Sequence, residues 1–134
     1  MNDENLGYRL NRSKIDVGSD LGSSADPQVS YKNGQQASYG TSGSVRPDYV
    51  ATDGTANIEV KNYNVSTNSS GLINNVANQA IQRAANLPDA MEQQVVIDMR
   101  GQNVTPQKVA NIRQGIVQKS NGLISHGAIT FKTQ

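Results

Sequence analysis

Two short runs carry the residues best suited to chemistry: Arg46-Pro47-Asp48 and, ten residues further on, Glu59-Val60-Lys61. Between them lies Thr52-Asp53-Gly54-Thr55, and Asp-Gly between two strand-like runs is a strong hairpin signal. With Asp53 and Gly54 as the turn residues, stepping outward along both arms sets Asp48 opposite Glu59. Cross-strand partners share a face, as do alternate residues, so Arg46, Asp48, Glu59 and Lys61 are expected on one face. Pro47, Tyr49, Ala51, Ala56, Ile58 and Val60 are expected on the other, packed face. Two directly opposed carboxylates, with Cβ atoms roughly 5 Å apart, repel one another. A divalent cation between them reverses that sign, and Lys61 beside it is placed to orient a water or balance the charge of a phosphate. The chemistry that suits this pattern is metal-assisted hydrolysis of a phosphodiester. The same four residues are also what the solvated face of an amphipathic hairpin carries, with Arg46 and Lys61 offsetting the acids. Composition does not decide between the two.

Composition narrows the metal. The chain has no cysteine and one histidine, His126, so thiolate and His-rich zinc sites are excluded and any ion must sit on oxygens. Oxygen donors favour Mg²⁺ or Mn²⁺ over Zn²⁺. The net charge of +1 gives no general pull toward nucleic acid, although basic residues gathered on one face would supply a local one. No run approaches the length of a membrane span, and MNDENLGYRL lacks the basic flank and apolar stretch of a signal peptide.

The elements that must position the hairpin read as follows. At 134 residues the chain is expected to form one domain with a small aliphatic core, since only 4% of it is aromatic. Residues 1–43, rich in Gly, Ser, Asn and Asp, are expected to be a loosely packed lead-in, with a short helical pattern only from Glu4 to Leu10. Residues 44–134 are expected to be the core. After the hairpin, Leu72, Ile73, Val76, Ala80, Ile81, Ala84 and Leu87 form one helical stripe closed by Pro88. Gln94–Met99 reads as a buried strand. Thr105 caps a second helix that begins at Pro106 and has Val109, Ile112, Ile116 and Val117 on its apolar face. GAITFK is a last strand. Hairpin, helix, strand, helix, strand is the order of an α/β or α+β sandwich with a central mixed sheet.

Arg46-Pro47-Asp48 followed by Glu59-Val60-Lys61 resembles the signature of the PD-(D/E)xK nucleases. That family sets the Asp on one strand and the ExK on its hairpin partner, with a helix and a further strand afterwards, an order that residues 44–100 fit. The resemblance implies that Asp48 and Glu59 hold the metal with the Val60 carbonyl, and that Lys61 assists water activation. Many members supply another acid from an N-terminal helix. Glu4, Asp16, Asp20 and Asp26 are on offer here, and Glu4 is chosen because it alone lies in a predicted helix. A polar residue of the helix after ExK often approaches the site in related nucleases, which points to Gln79 and Arg83. With Arg46, Lys108 and Arg113 they are the candidate substrate contacts, although basic residues late in a helix also suit its dipole. Asp98 and Arg100 are expected to be structural.

More narrowly, RPDYVATDGTANIEVKNYNV, the helix of Gln79 and Arg83, and VVIDMRGQ are similar to C-terminal toxin domains of bacterial contact-dependent growth inhibition and other polymorphic toxin systems. This implies an endonuclease tip delivered by a larger secreted protein into a target-cell cytoplasm, with a cognate immunity protein as partner. Such domains attack tRNA or DNA. The low net charge suits tRNA, recognised by shape, slightly better. A reading from another class is a non-enzymatic module in which the acids and Lys61 form part of a protein contact surface.

Overall fold

In the computed structural model, which describes residues 3–134 and side chains from Leu10 onward, the chain turns at Asp53-Gly54 as its sequence predicts. Gly54 takes φ +76°, and the Asp53 carboxylate accepts from both the Thr55 amide and its hydroxyl. Strand β4 (Tyr49–Ala51) pairs antiparallel with β5 (Ala56–Lys61), Tyr49 with Ile58 and Val50 with Asn57. This is the register that sets Asp48 against Glu59.

The hairpin is built into a mixed five-stranded sheet, in the order β1-β4-β5-β6-β7. Strand β1 (Ala25–Pro27) adds to β4 antiparallel, while β6 (Glu92–Asp98) and β7 (Ile129–Lys132) continue from β5 in parallel. Parallel neighbours need crossovers. These are helices α2 (Val65–Ala84) and α3 (Pro106–Lys119), and both lie on one face of the sheet. Leu72, Val76 and Ala80 of α2, Ile112 and Ile116 of α3, and Val95 and Ile97 of β6 make the main core there. The predicted cap of α3 forms, with the Thr105 hydroxyl accepting from the Lys108 amide at 3.1 Å.

Residues 3–43, expected within a loosely packed lead-in, carry a helix and three short strands. Helix α1 runs from Asp3 to Leu21 and covers the opposite face of the sheet, where Val17 and Leu21 share a cavity with Ile58 and Val96. Strands β2 (Ser30–Lys32) and β3 (Gln35–Ala37) form a separate hairpin, joined by the Tyr31–Val45 bridge to the chain entering β4. The sequence disguises α1 because polar and small residues interrupt the face on which Leu10, Val17 and Leu21 recur. Ser13 is fully buried through hydrogen bonds, and Gly18 admits the Tyr49 hydroxyl, which donates to the Lys14 carbonyl at 2.6 Å. The apolar stripe of Leu10, Val17 and Leu21 is therefore broken at Ser13 and Gly18, where a buried helix face would normally continue it.

The two faces of the hairpin are divided as expected, but both are covered. Glu59 is in register with Val95 and Lys61 with Ile97, so the charged residues of β5 point to the side of the sheet that α2 and α3 cover. Ile58 and Val60 pack toward α1. Both faces of β5 are buried, because it is a central strand between two helical layers.

Candidate active site

Strand β4 parts from β5 just before Tyr49, and the gap is filled by side chains. The Val60 amide, which the next rung of a ladder would take up, donates instead to Asp48 Oδ2 at 2.9 Å. In return the Asp48 amide donates to Glu59 Oε2 at 3.3 Å. Amide and carbonyl of one residue point to the same edge of a strand, so the Val60 carbonyl faces this gap as well. Asp48 is only 7% exposed.

Each acid has a cation from a helix. Lys14 of α1 reaches Asp48 Oδ1 at 3.2 Å, and Arg83 of α2 donates to Glu59 Oε2 at 2.6 Å. Burial pushes the Glu59 carboxyl up, Arg83 acts against that shift, and the nearby Asp48 charge adds to it. Burial likewise holds the Lys61 ammonium below its usual value, with Glu59 opposing and Arg83 reinforcing the shift. Lys14, Asp48, Glu59, Lys61 and Arg83 thus stand together, with three cations set against two carboxylates. The surplus positive charge suits an anion such as a phosphodiester.

The donor set fits an oxygen-seeking dication: two carboxylates and one carbonyl, the remaining positions falling to water or substrate oxygens, as Mg²⁺ prefers. No group of three or more His, Cys, Asp or Glu that could hold a metal occurs among the described residues. The ion would therefore rest on Asp48, Glu59 and the Val60 carbonyl, in competition with Lys14 and Arg83.

Of the residues predicted for the site, Asp48, Glu59, Val60, Lys61 and Arg83 are brought together. Gln79 lies one helical turn before Arg83 and is half-buried. Arg46 is drawn aside, its guanidinium 4.3 Å from the centre of the Tyr39 ring. Arg113 is committed to the edge strand β7, donating to the Ile129 carbonyl at 3.2 Å and covering Phe131. Lys108 lies in the first turn of α3, lining a small hollow with Ser66 and Asn103. Glu4 falls within α1, and its side chain lies outside the described residues. The other upstream acids are engaged elsewhere or in another strand. Asp16 pairs with Arg100, Asp20 with Lys132, and Asp26 sits in β1 opposite Val50.

Lys14 is the site residue that the sequence did not disclose. It lies in a stretch whose apolar periodicity is interrupted by polar residues, and only the docking of α1 brings it to Asp48.

A second charged cluster stands at the carboxyl end of β6. Asp98 accepts from Ser13 Oγ at 2.6 Å and from Arg100 Nη2 at 2.7 Å, and Arg100 also reaches Asp16 at 2.8 Å. Asn62 donates to Ser13 Oγ at 2.9 Å. Burial alone would push Asp98 up, but the hydrogen bonds from Arg100 and Ser13 hold it below the usual carboxylate range. Asp98 and Arg100, expected to be structural, are paired with each other. With Asp16 they also tie α1 to β6.

Compared with protein-family models, with curated proteins and with solved structures, the chain matches none.

Proposed function

We propose that this chain is a metal-dependent nuclease of the PD-(D/E)xK type. Asp48, Glu59 and the Val60 carbonyl would hold Mg²⁺ or Mn²⁺, and Lys61 would serve the reacting phosphate. The observation that supports this reading is the buried meeting of Asp48 and Glu59 where β4 leaves β5, with Lys61 next on the face of Glu59. A hairpin face that is merely solvated has no reason to carry a 7%-exposed aspartate against a second acid.

A divalent cation on these oxygens would supply Lewis-acid polarisation of a phosphoryl oxygen and make an attacking water more acidic. Asp48 and Glu59 fix that charge in place, their orientations set by the Val60 amide and by Arg83. Lys61 offsets the charge that develops on the phosphate. Arg83 and Lys14, displaced in part from the carboxylates, are near enough to contact the same anion.

The substrate in this reading is nucleic acid, with tRNA preferred slightly to DNA on the grounds of the low net charge. The resemblance to toxin tips extends the proposal to delivery by a larger secreted protein and to inhibition by an immunity protein. The decisive experiment incubates the chain separately with total tRNA and with plasmid DNA, with Mg²⁺, with Mn²⁺ and with chelator. Hydrolysis that needs the ion supports the proposal, and no hydrolysis of either nucleic acid under any of these conditions refutes it.

One observation favours the non-enzymatic reading: Lys14 and Arg83 already give both carboxylates a counter-charge without any metal. Tight binding of a partner protein, indifferent to metal and unaccompanied by cleavage, would select it.

A further inference from the structure

A cleft of about 630 Å³ opens at the carboxyl end of β5, between Lys61 and the first turns of α2. Ligand-binding clefts have volumes of roughly 300–1,000 Å³. Its walls carry Asn62, Asn64, Thr67, Asn68 and Asn75, and Lys61 is the one charged residue among those described there. Helix α2 is kinked at Asn68, on the cleft wall. The neighbouring cavity at Asp98 is different in kind, since its two arginines, Arg12 and Arg100, are paired with the acids Asp16 and Asp98 that line it too.

A side-chain amide offers a donor and an acceptor and no charge. Asn62 Nδ2 is spent on Ser13, and Asn64 Oδ1 on Ser66. The amides of Asn68 and Asn75, the Thr67 hydroxyl and the remaining atoms of Asn62 and Asn64 are what the concave space offers to a neutral group with both donors and acceptors. Lys61 adds one cationic contact at the wall nearest the acids, and no described acid lines the cleft to repel an anion. A nucleoside with its phosphate attached meets all three conditions, because Asn amides pair bidentately with base edges. A base stacked and paired in a duplex cannot enter a concave cleft, whereas one from a single strand or loop can.

We propose that this cleft receives the base and sugar of an unpaired nucleotide whose phosphate lies against Lys61, so that the substrate is single-stranded or looped nucleic acid rather than duplex. The inference rests on the nuclease reading and adds to it the structural class of the substrate.

The test separates the two. The metal-free wild-type chain, in chelator, is titrated by fluorescence anisotropy against a labelled single-stranded oligonucleotide and against the same sequence annealed as a duplex, in RNA and DNA forms. The single strand is expected to bind more tightly. The variant Thr67→Ala/Asn75→Ala, at two exposed positions, is expected to weaken that binding by about tenfold or more, the effect of losing one bidentate contact. Its melting temperature should be unchanged, and in a cleavage assay its KM should rise while kcat holds. Equal binding of single strand and duplex, or a double variant that binds like wild type, overturns the inference even if the chain cleaves nucleic acid. Absence of cleavage in every condition overturns the nuclease reading instead, and the metal-free preference then still decides the cleft.

Discussion

The residues of the site differ in how they can be tested, because their burial differs. Glu59 and Arg83 form a pair whose side chains are 14% and 13% exposed. Removing one partner of such a pair costs about 3–5 kcal/mol, since it strands the other charge. Glu59→Ala is therefore expected to lower the melting temperature as well as activity, and its loss of cleavage alone would be ambiguous. Lys61→Ala is the cleaner probe. It is expected to reduce kcat by about a hundredfold or more, the usual effect of removing one electrostatic stabiliser, with little change in melting temperature. A Lys61→Ala enzyme with near wild-type kcat would show that the amine has no part in the reaction. Ile58→Asp is the matching control for packing. Ile58 is 4% exposed against α1, and an unpaired charge there is expected to unfold the chain, seen as loss of the cooperative thermal transition.

Among the elements, α1 is the one whose docking governs the site, since it carries Lys14 to Asp48 and Ser13 to Asp98. A Cβ on Gly18 would collide with the Tyr49 hydroxyl. Gly18→Ala is expected to destabilise the chain by about 1–3 kcal/mol, as overpacking does, and removing that hydroxyl with Tyr49→Phe should recover part of the loss. If the two substitutions prove simply additive in denaturant melts, helix and strand do not meet there. The other end of the same contact is sensitive to pH. The pKa of Asp98 is depressed in the folded state, so its contribution to stability is present above its unfolded value of about 3.9. It is lost as pH falls through the lower folded value. Asp98→Asn should therefore lose stability at neutral pH and show a flatter decline on acidification than wild type, measured as the urea midpoint at a series of pH values.

For the whole molecule, the arrangement of layers sets where a partner can act. Among the described residues the sheet is covered by α1 on one face and by α2 and α3 on the other, so on the nuclease proposal an inhibitor would approach the site where strands end, at the cleft beside Lys61. An immunity protein seated there would mask the phosphate-binding charges and the unpaired-nucleotide cleft together, so inhibitor and nucleic acid should compete. Titrating such a partner into the metal-free chain carrying labelled single-stranded oligonucleotide should release the label. Simultaneous binding without mutual weakening would place inhibition at a distance.

Local patterns in the sequence determined the hairpin turn, its register and hence the approach of Asp48 to Glu59. They likewise determined the Thr105 cap of α3, the strands that alternate with the helices, and the stripe of α2 at Leu72, Val76 and Ala80, although Ile81 and Ala84 lie exposed and Leu87 falls beyond the helix. Each depends on residues within a few positions of one another, where turn chemistry and periodicity act. Tertiary structure alone decided that the site is buried, because the sequence of β5 alternates in the same way whether one face or both are covered. It alone made α1 a packed helix, held by Ser13, Gly18 and the Tyr49 hydroxyl as well as by Val17 and Leu21. Lys14 was beyond the reach of the sequence for the same reason: its partner lies on another element, and attraction between two charges far apart in the chain leaves no periodic trace in either.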